Sequence, residues 1–289
     1  MIDSIFTGVC TALVTPFLNG KVNYPMMEQL IRRQIEAGIE AIVLCGTTGE
    51  SPTLSDAEKI EIIRRGKAYA GNRCKIIAGT GSNCTEHAVA LSKAAEEVGA
   101  DALLVVTPYY NKANNSGLIA HYMAIAHSVS IPIILYNVPS RTGVDIPVTV
   151  YQRLSGIPNI AGVKEASNDV SKIAKIKAQC PDHFSVWSGN DDLTLPVMAY
   201  GGEGVISVLS NVLPAEMKML TDAAVQGDYK SAANLQKKLM SMMEIMFCDV
   251  NPMPVKAAMK AIGYDCGNCR LPLTELSQNH LNQIAQKFS

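Results

Sequence analysis

The sequence lacks several features that would place it in a specialised class of protein. Its 289 residues carry 25 basic and 26 acidic side chains, so the net charge is −1 and no excess of positive charge is available for nucleic acid or an anionic membrane surface. No stretch approaches the roughly 18 consecutive apolar residues that a membrane-spanning helix needs. The first residues, MIDSIFTGVC, have no basic n-region of a signal peptide. We therefore expect a cytoplasmic protein with no nucleic-acid and no membrane partner.

Metal ligands are also scarce. The five histidines lie far apart, at positions 87, 121, 127, 183 and 280, and none forms a ligand pair at the end of a predicted strand. Eight scattered cysteines in a chain of this length favour reduced, core-packed thiols over a disulfide framework. Cys266 and Cys269 form a single C-x-x-C motif without a second pair, so incidental thiols are favoured over a redox or zinc site. We expect no metal.

What the sequence does contain is a repeated pattern of buried strands. Hydrophobic residues make up 48% of the chain, enough for a large core. Eight short β-rich apolar runs begin 20 to 34 residues apart, at 8–14, 41–46, 75–80, 102–108, 132–138, 159–165, 183–189 and 203–209. Helical patterns of about three turns separate the first runs, at 24–38, 55–71, 85–99 and 116–129, and Ser55 with Glu58 forms a capping box at the start of one of them.

Eight strands that alternate with helices predict parallel pairing through right-handed crossovers. The count favours an α/β fold of the (β/α)8 TIM-barrel type over an open sheet, since no dinucleotide-binding glycine motif follows the first strand. After Gly227 the strand signal stops, and helical patterns follow at 228–247, 254–263 and 273–288. We therefore predict a catalytic barrel over residues 1–227 and a C-terminal helical domain over residues 228–289.

The active site of such a barrel lies at the carboxyl ends of its strands. Lys164 is the one lysine that ends an apolar run, where alternation of side chains can direct it into the barrel mouth. Burial there favours the neutral amine, a nucleophile toward a carbonyl, although a lysine paired to a carboxylate for structural reasons is an open alternative. Arg141 is the one arginine predicted on this face, suited to binding a substrate carboxylate or to bracing its own turn.

Residues with hydroxyl groups accompany Lys164 and Arg141 in the predicted barrel mouth. Tyr136 closes the strand before that of Lys164, and its phenol could move protons; a buried ring with a satisfied hydroxyl is the alternative. The GTTGES segment at 46–51 offers backbone N–H groups and the hydroxyls of Thr47 and Thr48 to a carboxylate.

Five motifs in order, GTTGES, TPYYN, YNVPSRTG, VKEAS and NPMPVK, resemble those of the dihydrodipicolinate synthase family. That family lies within the pyruvate-dependent class I aldolase superfamily, which also includes N-acetylneuraminate lyase. The resemblance runs from about residue 7 to residue 272. It implies a lyase of the diaminopimelate and lysine biosynthesis pathway that condenses pyruvate with L-aspartate 4-semialdehyde, without a cofactor beyond a covalent Schiff base.

The same resemblance implies roles for individual residues. Lys164 would form the Schiff base with pyruvate, and Thr47 and Thr48 would bind the pyruvate carboxylate. Tyr136, Thr47 and Tyr110 would form a proton relay, with Tyr110 supplied by a neighbouring subunit of a homotetramer built as a dimer of dimers. Arg141 would bind the carboxylate of the semialdehyde. The backbone carbonyls of Gly189 and Ile206 would shape the pyruvate pocket.

A regulatory site departs from the family pattern. In feedback-inhibited members lysine binds near the dimer interface through residues that match Ser51, Asn83 and Tyr109, with an acidic residue where this chain has His87. Lys59 replaces a histidine of that site. A cation in place of a carboxylate should repel the ammonium group of lysine, so the resemblance predicts weak or absent feedback by lysine.

Two other functions remain open from the sequence. A sugar-acid or N-acetylneuraminate aldolase would use the same Lys164 imine with a different aldehyde, although those relatives generally lack the Arg-Thr-Gly sequence that contains Arg141. A non-catalytic ligand-binding barrel is the alternative from another class.

Overall fold

Eight parallel strands form a closed barrel in the computed structural model, which describes residues 4–288. The strands are β1 (Gly8–Ala12), β2 (Ala41–Leu44), β3 (Lys75–Gly79), β4 (Ala102–Val106), β5 (Ile133–Asn137), β6 (Ile160–Glu165), β7 (Ser185–Ser188) and β8 (Gly204–Ser207). Each strand pairs with the next, and β8 closes the barrel onto β1 through pairs such as Cys10 with Ile206. The prediction of a (β/α)8 barrel is confirmed.

Side chains alternate between the inside and the outside of the barrel along each strand. In β2, Val43 packs in the interior cluster while Ile42 packs outward against the helices. The amino-terminal end of the barrel is filled by aromatic rings, since Phe6 stacks on Trp187 with ring centroids 4.9 Å apart. The opposite end, where the strands finish, is therefore the end that can remain open.

Twelve α-helices belong to residues 4–288. They are α1 (Tyr24–Glu36), α2 (Asp56–Ala70), α3 (Thr85–Glu97), α4 (Asn115–Ala126), α5 (Pro139–Thr142), α6 (Val148–Leu154), α7 (Val170–Gln179), α8 (Thr194–Ala199), α9 (Pro214–Val225), α10 (Tyr229–Ile245), α11 (Met253–Ala261) and α12 (Gln278–Phe288). The predicted capping box is present: the Ser55 hydroxyl accepts from the Glu58 N–H, and the Glu58 carboxylate accepts from the Ser55 N–H. No helix in this part of the chain is both long and apolar enough to span a membrane.

The helices after Gly227 pack on the barrel rather than apart from it. Buried side chains of α10, α11 and α12, among them Met243, Val255 and Ile284, belong to the same hydrophobic cluster as the outer faces of the strands. The repeat of strand and helix ends with α9 at Val225, close to the predicted boundary. The division into two domains at residue 227 stays a prediction.

A two-stranded antiparallel ladder, Phe17–Leu18 with Lys21–Val22, was not predicted. Its strands are only two residues long, too short for an alternating pattern to reveal. The ladder lies just after β1 and brings Phe17 beneath the C-terminal segment, where the Phe17 N–H donates to the Cys266 carbonyl at 2.9 Å.

Candidate active site

A cavity of about 440 Å³ opens at the carboxyl ends of the strands. Six residues singled out from the sequence line it: Thr47, Thr48, Tyr136, Arg141, Lys164 and Gly189. They come from four strand ends, so the barrel closure brings together side chains that are more than a hundred residues apart in the chain. The wall opposite is formed by α10 and the turn after it, through Met243, Glu244, Phe247 and Asn251.

Lys164 and Tyr136 stand next to each other on adjacent strands. The register of β5 and β6 pairs these two residues directly, and both side chains point into the barrel. The Lys164 Nζ lies 4.4 Å from the centre of the Tyr136 ring, and only 5% of Lys164 is exposed to solvent. The ring therefore limits where the amine can go and holds it at the cavity wall.

Gly189, the residue after β7, leaves room for the Lys164 side chain. A Cβ at position 189 would lie 2.5 Å from the Ala166 Cβ and 3.2 Å from the Lys164 Cε. Any larger residue would push on the lysine or on the start of the loop after β6. The absence of a side chain at this position is thus a steric requirement of the site.

The GTTGES segment forms a tight loop after β2. The Glu50 N–H donates to the Thr47 carbonyl at 3.1 Å, and the Ser51 N–H donates to the Gly46 carbonyl at 3.2 Å. Thr48 is buried, and its hydroxyl oxygen accepts from the Asn251 Nδ2 at 3.0 Å. The loop therefore holds the Thr48 hydroxyl in a fixed orientation.

Arg141 lies in the short helix α5 on the rim of the cavity. Its Nη2 donates one long hydrogen bond, 3.5 Å, to the Asn251 carbonyl. The residue is exposed, so the guanidinium retains donors for a carboxylate that enters the cavity. This geometry favours the ligand-binding alternative for Arg141 over the loop-bracing one, because a bracing arginine would make more contacts with its own turn.

Two predicted site residues, Ile206 of the pyruvate pocket and Tyr110 of the proton relay, lie outside this cavity as the described chain forms it. Ile206 is fully buried in the barrel interior, and its side chain is not part of the cavity wall. Tyr110 is 90% exposed, has a backbone φ of +71° and does not line the cavity of its own chain. Both roles stay predictions.

A second cavity of about 280 Å³ adjoins the first and shares Thr47, Tyr136 and Arg141 with it. Ser51, Tyr109 and His87 line this second cavity, together with Lys59. Asn83 lies beside it, and its carbonyl accepts from the Asn111 amide at 2.9 Å.

An acidic side chain stands between Lys59 and His87 of that second cavity. The Asp56 carboxylate contacts the His87 Nε2 at 2.9 Å and the Lys59 Nζ at 3.8 Å. This carboxylate already has two partners within the protein, which leaves it poorly placed to receive an ammonium group from a ligand. The prediction of weak lysine feedback is not tested by these contacts and stays a prediction.

Sequence reasoning assigned no role to a buried carboxylate at the floor of the first cavity. Asp191 is 2% exposed, and its Oδ2 accepts from the N–H groups of Val208 and Leu209 at 3.0 and 2.9 Å. Burial raises the pKa of this carboxyl above its ordinary value. The sequence shows Asp191 in the SGNDD strand end and Asn251 in NPMPVK. No local sequence pattern indicated that either side chain reaches the cavity.

The two cysteines of the C-x-x-C motif are free thiols in the structure. Burial raises the pKa of both Cys266 and Cys269 to about 12. They are therefore protonated and weakly nucleophilic near neutral pH.

Comparison with known proteins gives a consistent result over nearly the whole chain. A profile described as the Dihydrodipicolinate synthetase family matches residues 5–289. The 4-hydroxy-tetrahydrodipicolinate synthase of Lachnoclostridium phytofermentans is 46% identical over 287 residues, which cover 99% of this chain and 98% of that protein. The crystal structure of dihydrodipicolinate synthase from Aquifex aeolicus is 44% identical with a TM-score of 0.96, covering 98% of this chain and 97% of that one.

A third similar protein was solved with a small molecule. It is the chloride-inhibited dihydrodipicolinate synthase from Acinetobacter baumannii complexed with pyruvate, which is 41% identical with a TM-score of 0.95 and covers 97% of both chains.

Proposed function

The chain belongs to the Dihydrodipicolinate synthetase family, and we propose that its Lys164 forms the imine through which it acts on pyruvate. It is a lyase with the activity of the 4-hydroxy-tetrahydrodipicolinate synthases. It condenses pyruvate with L-aspartate 4-semialdehyde in the diaminopimelate pathway to lysine. The observation that carries the assignment of Lys164 is its position: a nearly buried amine, against the Tyr136 ring, in the wall of the cavity at the strand ends.

The proposed chemistry begins with attack of the Lys164 amine on the pyruvate ketone. Loss of water from the resulting carbinolamine gives an iminium, which draws electrons from the methyl group and makes its protons acidic. Removal of one methyl proton gives an enamine, which attacks the aldehyde carbon of the second substrate. The amine of the condensed substrate then attacks the iminium carbon, forms the ring and releases Lys164 as a free amine. No cofactor beyond the imine enters this sequence.

Tyr136 is the proposed proton carrier for these steps, with Thr47 and the Tyr110 of a neighbouring subunit as the rest of the relay. Tyr136 is suited to this role because it contacts Lys164 directly and lines the cavity at the same time. Thr47 lines the same cavity, within the loop that follows β2.

The two substrate carboxylates are assigned to the two ends of the cavity. Thr47 and Thr48 would bind the carboxylate of pyruvate through backbone N–H and hydroxyl donors, with the backbone carbonyls of Gly189 and Ile206 beside it. Arg141 on the rim would bind the carboxylate of the semialdehyde by its guanidinium. With the carboxylates bound in this way, the methyl carbon of pyruvate would face the aldehyde that enters from the cavity mouth.

Borohydride trapping tests the imine. Pyruvate followed by borohydride should add a reduced adduct to Lys164, located by peptide mass spectrometry, and Lys164→Ala should abolish both the adduct and turnover. Lys175→Ala, at an exposed lysine of α7, is the matched control and should leave both unchanged. A wild-type protein that forms no adduct would refute the assignment. Turnover of pyruvate with aspartate semialdehyde, compared with sugar aldehydes, separates the synthase from the aldolase alternative.

We also propose the assembly and the location expected from the sequence. A tyrosine that is 90% exposed, as Tyr110 is, would be covered if a second subunit packed against this rim, as in a homotetramer made of two dimers. The eight free thiols are suited to the reducing cytoplasm. Light scattering during gel filtration tests the oligomer, and a monomer with full activity would contradict the role given to Tyr110.

A further inference from the structure

The NPMPVK motif at residues 251–256 has no part in the chemistry described above, yet it contacts the GTTGES loop at two points. It begins just before α11, in the helical segment that follows the barrel. The two motifs are separated by 200 residues in the chain, so their contact depends entirely on the fold.

The first contact is a buried ion pair. The Lys256 Nζ lies 2.6 Å from the Glu50 Oε1, and the two side chains are only 4% and 1% exposed. The same ammonium sits 4.4 Å from the centre of the Phe17 ring, and the other Glu50 oxygen accepts from the Arg270 N–H at 2.9 Å. A buried carboxylate with these partners cannot move without leaving a charge unpaired in a poorly solvated place.

Glu50 also carries an unusual backbone. Its φ is +57°, a left-handed conformation that a residue with a side chain adopts only when its surroundings enforce it. The Glu50 N–H closes the loop on the Thr47 carbonyl. The ion pair with Lys256 therefore fixes the end of the loop that presents Thr47 and Thr48.

The second contact determines which way a hydroxyl points. The Asn251 Nδ2 donates to the Thr48 Oγ1 at 3.0 Å, and Asn251 is 5% exposed. A threonine hydroxyl has a single hydrogen, and with its oxygen already accepting from Asn251 that hydrogen is free to donate to another group. Thr48 lines the cavity, so the available acceptor is a bound ligand.

We propose that Asn251 and the Glu50–Lys256 ion pair are positioning residues that set the affinity of the Thr47–Thr48 loop for the carboxylate of pyruvate. The inference rests on the proposed function, because it takes this loop as the pyruvate carboxylate site. It assigns to the C-terminal helical segment a direct influence on the first substrate, separate from the imine chemistry of Lys164.

Asn251→Asp is the sharpest test because it preserves the volume of the side chain. An ionised carboxylate can only accept, so the Thr48 hydroxyl would donate to it and no longer to pyruvate. We expect the pyruvate concentration for half-maximal borohydride trapping to rise about tenfold or more, the factor that corresponds to about 1.4 kcal/mol. The maximal trapped fraction should stay complete, since the amine is untouched. Asn251→Ala should give a smaller rise, because the hydroxyl is freed rather than turned away.

Lys256→Met tests the ion pair by removing its cation. Glu50→Gln combined with Lys256→Met removes both charges, and tests whether the uncharged pair restores thermal stability without restoring the affinity for pyruvate. Lys218→Met is the matched control: it removes a lysine that pairs with Glu40 and Asp222, away from the cavity. All variants are compared by thermal unfolding and by trapping. We expect the control to lose stability without any change in half-saturation.

The outcomes separate this inference from the proposed function. A wild-type protein that traps no pyruvate on Lys164 would refute the imine itself. Normal trapping in the wild type, with half-saturation within twofold of it in folded Asn251→Asp, would overturn the positioning role of Asn251. Half-saturation unchanged in a folded Lys256 variant would overturn the role of the ion pair.

Discussion

Gly189→Ala adds a single methyl group, and its effect on turnover and stability follows from distances in the structure. Nothing in the backbone forbids it, since Gly189 does not have the left-handed φ that restricts other residues. The new Cβ would nevertheless lie 2.5 Å from the Ala166 Cβ and 3.2 Å from the Lys164 Cε. Carbon atoms in contact prefer about 3.5–4.0 Å, so Ala166 must move by about 1 Å, whereas the Lys164 Cε must move by only a few tenths of an ångström. Ala166 lies two residues after Lys164, and a misplacement of about 1 Å beside a reacting group lowers turnover by about 100-fold, whereas the added volume destabilises the fold by only about 1–3 kcal/mol.

Steady-state turnover of pyruvate and aspartate semialdehyde, measured beside thermal unfolding, tests this reasoning. Gly156→Ala is the matched control, because its Cβ would meet nothing closer than the Arg153 carbonyl at 3.7 Å. Adding Ala166→Gly to Gly189→Ala removes the closest clash and should recover part of the lost activity. If folded Gly189→Ala retains wild-type kcat/KM, the space beside Lys164 is not the constraint that the distances indicate.

Three further predictions concern protons, the effector and pH. Tyr136→Phe keeps the ring that contacts Lys164 but removes the phenol, so pyruvate trapping should persist while kcat falls by about 10²–10⁴-fold; an unchanged kcat would contradict the relay. Added L-lysine should inhibit turnover weakly or not at all, because Lys59 and His87 line the cavity that the resemblance assigns to it, and inhibition at micromolar lysine would refute this. Hydrogen bonding to the Arg270 guanidinium lowers the pKa of Glu58 from 4.5 to about 2, so this pair stabilises the fold fully above about pH 5 and less as the pH falls toward 2. Arg270→Gln should therefore lower the free energy of unfolding, measured by urea titration, by about 1 kcal/mol above pH 5 and by less toward pH 2. If the variant shows the same dependence of this free energy on pH as the wild type, the pair does not stabilise the fold as described.

The barrel could be predicted from the sequence because strands buried on both faces leave a strong local signal. Each of the eight predicted runs contains one observed strand, usually shorter by one to three residues at its ends. The two-residue ladder at Phe17 was missed because it has too few residues for any period to show. The short helices α5, α6 and α8 were missed for the same reason, being four, seven and six residues long.

The residues of the candidate site also fall into two groups, those that the sequence indicates and those that it does not. Lys164, Tyr136 and Arg141 could be found because each ends or follows a strand, and the barrel places all strand ends around one opening. Asn251 could not, because the packing of a distant segment brings it to the cavity, which no local pattern records. Asp191 follows a strand end, but its burial against the N–H groups of Val208 and Leu209 depends on the fold and leaves no local signal. The role predicted for Tyr110 depends on the surface of a neighbouring subunit, which one chain does not contain.

The helical segment after the barrel contributes side chains to the wall of the candidate site. Two buried polar side chains of the loop after β2 have partners in this segment. Glu50 has an oxygen whose nearest cation, Lys256, comes from α11, and Thr48 obtains its buried donor from Asn251. Removing one partner of such a buried pair costs about 3–5 kcal/mol, because the charge left behind is poorly solvated. We therefore expect a barrel without this segment to lose stability and the shape of its Thr47–Thr48 loop together, which would make the two sides of the predicted boundary near residue 227 one cooperative unit.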